Sequence, residues 1–184
     1  AINYKGIKIN RGELDLSLNS NFTETMVASE ITTPDLLRGK EELFFNREER
    51  SRLEVASPAH KIIFIANYQT GRFQVRGQLT SFGSVQYIHP SDGNQGSWVL
   101  NELTGQIESR DQVFTPKAIG DLEFSYSLPS GKSGEIRLAL GAHNFLNTYP
   151  DQHAHSANVS SGRFPYSRRV QQFGVNGISG YFKC

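Results

Sequence analysis

Only one cysteine is present, Cys184, at the last of 184 positions. No internal disulfide can form, and no paired thiolate spacing offers a metal site. Long hydrophobic runs are missing as well: no stretch of about eighteen consecutive apolar residues occurs, which excludes a transmembrane helix. A transmembrane strand stays open, because it needs only about 9 to 11 residues with every second one apolar. There is no excess of charge of one sign. Nineteen basic and 18 acidic side chains leave a formal net charge of +1, so the whole chain has no attraction to nucleic acid or anionic lipid, and nucleic acid is not an expected partner. The opening Ala1 to Asn10 carries neither an initiator Met nor a secretory hydrophobic segment. Either processing or membership of a longer chain would account for that. With 37% hydrophobic residues, one ordinary core or two small ones can be buried.

What is present is alternation. Along Thr115 to Gly131, Leu122, Phe124, Tyr126 and Leu128 share one face of an extended chain, while Asp121, Glu123, Ser125 and Ser127 take the other. From Glu13, Leu14, Leu16, Leu18 and Phe22 oppose Asp15, Ser17, Asn19 and Asn21. Ile62, Phe64, Ala66 and Tyr68 form a third apolar face, although Ile63 and Ile65 make its reverse partly apolar. Phe73, Val75, Gly77 and Leu79 oppose Arg72, Gln74, Arg76 and Gln78, and Ile136, Leu138, Leu140 and Ala142 oppose Glu135, Arg137 and His143. The two ends, Ile2 to Ile9 and Val170 to Cys184, read as strands from their Gly, β-branched and aromatic content. Seven strands are expected, in an all-β, antiparallel, up-and-down meander. One greasy and one polar face suit a soluble sheet on a core, and equally a barrel with lipid outside and water inside.

Connection lengths bear on that choice. Tight turns are expected at Asn10 to Gly12, Gln69 to Arg72 and Pro129 to Gly134. Long connections run roughly from Ala28 to Pro58, His89 to Gln112 and Asn147 to Arg169. Short and long alternate, so in a meander all turns fall at one end and all long loops at the other, as in outer-membrane barrels. The expectation is therefore part of a larger transmembrane β-barrel, with Leu14, Leu16, Leu18, Phe73, Val75, Leu79, Leu122, Phe124, Ile136, Leu138 and Leu140 towards lipid. Asp15, Arg76, Glu123 and Arg137 would face inward, and Tyr68, Phe73, Tyr126 and Tyr181 would make an aromatic belt near the turns. In the first long loop, Gly39 to Pro58 has the one helical look, dense in charge and closed by a proline. No internal repeat or linker divides residues 1–184.

The closing motifs resemble a known family. Asn144 to Leu146, Tyr149-Pro150, Pro165 to Ser167, Phe173-Gly174 and Asn176-Gly177 follow the order seen at the C-terminal end of TonB-dependent outer-membrane receptors, and Leu43 to Phe73 resembles the loop and hairpin that precede it. The resemblance implies a barrel of about 22 strands around an N-terminal plug, importing a scarce nutrient such as an iron chelate with energy from the TonB system. By that resemblance, residues 1–184 are the C-terminal barrel segment, located in the outer membrane of a Gram-negative bacterium. Its partners are membrane lipid, the plug and remaining strands, the TonB system acting through the plug, and a small nutrient ligand. No segment here resembles the plug. Family members commonly end on an aromatic residue, whereas this chain ends Gly180-Tyr181-Phe182-Lys183-Cys184.

Candidate chemistry is thin. His153 and His155 could share a metal, but no Cys or third clustered His completes a set, and an exposed polar loop is the simpler reading. Arg163, with Arg168 and Arg169, could meet an anionic chelate or lipopolysaccharide phosphates. His143 beside Asn144 lacks a nucleophile and an orienting partner, so no enzyme activity and no cofactor are expected. Asp92-Gly93-Asn94 reads as a turn rather than a calcium loop. Arg47, Glu48, Glu49, Arg50 and Arg52 read as a solvated helix face with local ion pairs. Asn21-Phe22-Thr23 and Asn158-Val159-Ser160 match glycosylation acceptors, with nothing else to support that route. The alternative to a receptor segment is a secreted or periplasmic β-sandwich that binds a ligand such as carbohydrate.

Overall fold

The computed structural model describes residues 1–29, 31–90, 98–101, 103–131, 134–154 and 164–184. Its strands are β1 (Ile2–Ile9), β2 (Gly12–Phe22), β3 (His60–Thr70), β4 (Phe73–Phe82), β5 (Val85–Tyr87), β6 (Trp98–Leu100), β7 (Ile107–Ser109), β8 (Gln112–Phe114), β9 (Lys117–Ser130), β10 (Gly134–His143) and β11 (Ser179–Lys183). Seven of them form one antiparallel sheet in the order β1-β2-β3-β4-β9-β10-β11. That is the expected meander, each of the seven pairing with the next of the seven along the chain, although the last strand covers only Ser179–Lys183 of the expected Val170 to Cys184. The short strands make two separate ribbons, β5 with β8 and β6 with β7, both inside the second long connection, which spans residues 83–116 between β4 and β9, as the third spans 144–178 between β10 and β11.

The turns follow from residue chemistry. Ile9 pairs with Gly12 and Thr70 with Phe73, so each turn has two central residues. The first of each pair, Asn10 (φ 52°) and Gly71 (φ 56°), sits in the left-handed region that Asn tolerates and Gly enters freely. In β1 the register slips between Tyr4 and Ile7, where the Gly6 N–H turns away to donate to Asp15 Oδ1 at 2.8 Å. This bulge restores the alternation that the intervening Lys5-Gly6 would have inverted.

Register then sorts the faces. Leu14, Tyr68, Val75, Phe124, Leu140 and Phe182 lie in one transverse row, and Leu18, Phe64 and Leu79 in another on the same side. Asp15, Asn67, Arg76, Glu123, Gly141 and Tyr181 form the neighbouring row on the opposite side. The apolar face is uncovered at its centre as well as its edges: Phe64 is 41% exposed, Leu79 44% and Phe124 42%. In a sandwich these side chains would be buried by a second sheet.

One aromatic departs from the expectation. Tyr68, Phe73 and Tyr126 lie on the apolar face near the turns, but Tyr181 lies on the polar face, where its hydroxyl donates to Glu123 Oε2 at 2.7 Å. The pairing of Gly141 with Tyr181 decides this and gives the apolar position to Phe182. Among the described residues, helix is confined to the first long loop: a 3-10 turn (Asp35–Leu37), α1 (Glu41–Phe44) and α2 (Arg47–Glu54). α2 starts where the Asn46 side chain accepts the Glu49 N–H at 3.0 Å, an N-cap that satisfies one of the orphan donors of the first turn.

Candidate functional site

The main concentration of burial lies where the three long connections meet, beyond the sheet end opposite the turns. Val85 and Phe114 from the second connection and Val170 from the third form a small apolar cluster, joined by Ala56 from the first and by Tyr87. Gln172 reaches into it, its side-chain nitrogen donating to Gly83 O at 2.6 Å and Thr115 O at 2.9 Å. A buried amide held by two carbonyls from another loop fixes the third connection to the second.

Ion pairs bind the same junction. Arg47 at the start of α2 makes a two-pronged contact with Asp111, Nη1 to Oδ1 at 2.9 Å and Nη2 to Oδ2 at 2.5 Å. Asp111 Oδ1 also accepts the His89 N–H at 2.8 Å. Burial pushes the Asp111 pKa up, but Arg47 and the His89 amide outweigh it and hold the carboxyl below the usual aspartate range. Glu48, the next residue, turns the other way and pairs with Arg169, whose pKa that carboxylate raises further. Asp151 accepts from Lys117 at 2.5 Å and from both the amide and hydroxyl of Thr115. There too burial opposes ionisation, and those donors prevail to lower the pKa.

These positions revise two expectations. The charge cluster is only partly a solvated helix face. Arg50–Glu54 and Arg52–Glu49 are local pairs on the exposed side, whereas Glu48 is buried and Arg47 and Glu48 both leave the helix for other loops. His153 is not in an exposed polar loop. It is buried, its ring edge-on to Tyr87 at 4.5 Å and to Phe114 at 5.9 Å, and its backbone N–H donates to Pro165 O. No group of three metal-ligating side chains occurs among the described residues. His155 and Arg163 lie outside the described residues, as do Asp92 to Asn94 and Asn158 to Ser160. Arg168 is exposed, with its guanidinium 5.9 Å from the Phe164 ring.

Four of the motif residues, Asn144, Tyr149, Asn176 and Gly177, meet with their neighbours in a clasp at the end of β10. Asn144 (φ 48°) accepts the Thr148 N–H and donates to the carbonyls of Thr148 and Asn176. Asn147 Oδ1 accepts the Ile178 N–H at 3.1 Å. The Tyr149 hydroxyl fills the space where a side chain on Gly177 would stand. On the polar face, His143 Nδ1 lies 3.6 Å from Asp121 Oδ1 and its ring tilts over Tyr181 at 4.8 Å. Nearby, Glu123 gathers Tyr181, Lys183 at 3.4 Å and Arg137 at 3.9 Å.

Sequence reasoning missed Asp111, Asp151, Lys117 and Gln172. Their partners are far away in the chain, and no local spacing marks them. No protein-family model matches the chain, no curated protein matches it, and no solved structure matches it.

Proposed function

We propose that the chain is a segment of outer-membrane barrel wall with its long loops on the outer side, contributing to TonB-dependent uptake of a scarce nutrient as part of a plug-containing receptor. The observation that carries the wall reading is the uncovered apolar face, continuous across seven hydrogen-bonded strands. Water on that face is unfavourable by roughly 25 cal/mol per Å² of apolar surface, and lipid removes the penalty. The opposite face, with Asp15, Asn67, Arg76 and Glu123 in one row, suits a water-filled or protein-filled interior. The grouping of all three long connections at one end supports the same orientation. The assignment to TonB-dependent receptors rests on the sequence resemblance of the ordered C-terminal motifs and of Leu43 to Phe73, and the wall reading stands without it.

Such a segment needs no bond-making residue. Its loops meet ligand, its strands enclose the path, and coupling to energy belongs to the plug. Sedimentation with and without detergent tests the wall reading: the chain is expected to require detergent, and a monodisperse species in plain buffer would overturn it in favour of a soluble ligand-binding module. Uptake of iron chelates and cobalamin by cells carrying a complete receptor that contains this chain, with and without the TonB system, tests the family assignment. Uptake indifferent to TonB would remove it.

A further inference from the structure

We infer that α2 is a two-way strap that makes the described parts of the three long loops loosen and tighten as one body. Arg47 and Glu48 are consecutive in the chain, yet they hold different loops: Arg47 binds Asp111 of the second connection and Glu48 binds Arg169 of the third. A helix advances about 100° per residue, so neighbouring side chains diverge and one short helix can reach two partners. The C-terminal end of α2 adds a third tie, since Val55 O accepts the Gln86 N–H of β5 at 2.9 Å. The apolar cluster beneath is built from all three connections, by Ala56, by Val85 and Phe114, and by Val170.

The burial of Glu48, whose side chain is 7% exposed, makes the strap cooperative. Removing Arg169 would leave an uncompensated carboxylate under the loops, and a buried charge without its partner is strongly destabilising. Relief comes by protonating Glu48 or by hydrating it, and hydration lifts α2 and with it the Arg47–Asp111 contact. Loss of one tie is thus transmitted to the loop that carried the other. This inference concerns the loops alone and does not depend on what covers the apolar face.

The experiment is hydrogen exchange on the complete protein in its detergent or membrane form, following residues 47–56, 84–89, 109–115 and 164–172. In Arg169→Gln, exchange is expected to rise about tenfold or more in all four segments, including the two of the second connection, whose own ion pair is untouched. Peptides from β3 and β4 should keep their rates. If only 164–172 loosens, or nothing does, the loops move independently and the inference fails. Should the sheet loosen too, the charge-exchanged pair Glu48→Arg with Arg169→Glu decides: recovery of slow exchange supports the strap, and no recovery overturns it. Detergent dependence is scored separately, so failure of the wall reading and failure of the strap are distinct results.

Discussion

Gly141 has no side chain in a place where Tyr181 needs the room. A Cβ there would stand 2.4 Å from Tyr181 Cζ. The ring lies across the glycine and reaches Glu123, while Lys183 stands 4.4 Å above the ring. Aromatic cover over a strand glycine replaces the packing that the missing side chain cannot supply. Gly141→Ala is expected to displace the ring and cost about 1 kcal/mol, the net worth of one hydrogen bond and its packing. A double-mutant cycle with Tyr181→Ala, measured by denaturant titration in detergent, checks this: the glycine substitution should be nearly neutral once the ring is gone. An equal cost in both backgrounds would show that the glycine serves the backbone instead. Sequence alternation read Tyr181 as part of an aromatic belt. The register of β11 against β10 was not visible in a five-residue strand containing Gly180, and a slip of one residue exchanges every side chain between faces.

At the scale of the element, β2, β4, β9 and β10 were legible because each repeats its polarity every second residue over most of its length, and β3 from its alternate apolar face in spite of Ile63 and Ile65 on the reverse. Their two faces have different solvents under the proposed function, and substitution tests that directly. Phe124→Arg, at the middle of the apolar face, is expected to cost about 2 to 4 kcal/mol of stability in a bilayer. Gln78→Arg, on the opposite face, should be close to neutral. Urea titration in lipid vesicles measures both. If Phe124→Arg is harmless there and raises solubility in buffer, the face meets water. α2 was recognised from its charges and its terminating proline, but only half of its role was visible. Arg50 and Arg52 pair within the helix at the expected spacing, whereas the partner of Glu48 is 121 residues away.

For the whole molecule, seven strands is an odd number with two open sides. Among the described residues β1 and β11 each pair with one neighbour, β2 and β10 respectively. Single-chain bacterial barrels close with an even number of strands, about eight or more, and an unpaired backbone edge in lipid costs several kcal/mol for each unsatisfied group. In a meander of seven, β1 and β11 run in the same direction, so they cannot join each other by the antiparallel ladder used throughout the rest of the sheet. The chain alone, refolded in detergent or liposomes, is therefore expected to aggregate or associate edge to edge and to form no stable monomeric pore. Gel mobility before and after boiling, together with single-channel conductance, measures the outcome. A heat-modifiable monomer with discrete conductance would mean that this chain closes by itself.

The sequence alone determined the long strands, the three hairpin pairings and the separation of polar from apolar faces, because a period of two residues is a local property and a tight turn leaves the strands it joins no arrangement but antiparallel neighbours. Tertiary structure decided everything that joins the long connections: the Glu48–Arg169 and Arg47–Asp111 pairs, Asp151 under Thr115 and Lys117, Gln172 between two carbonyls, and His153 between aromatic rings. These contacts join residues from different loops, and each loop's conformation exists only once the others are in place. A charge or an imidazole in an irregular segment carries no periodic signal of its partner, so its role appears when the sheet has brought the loop ends together.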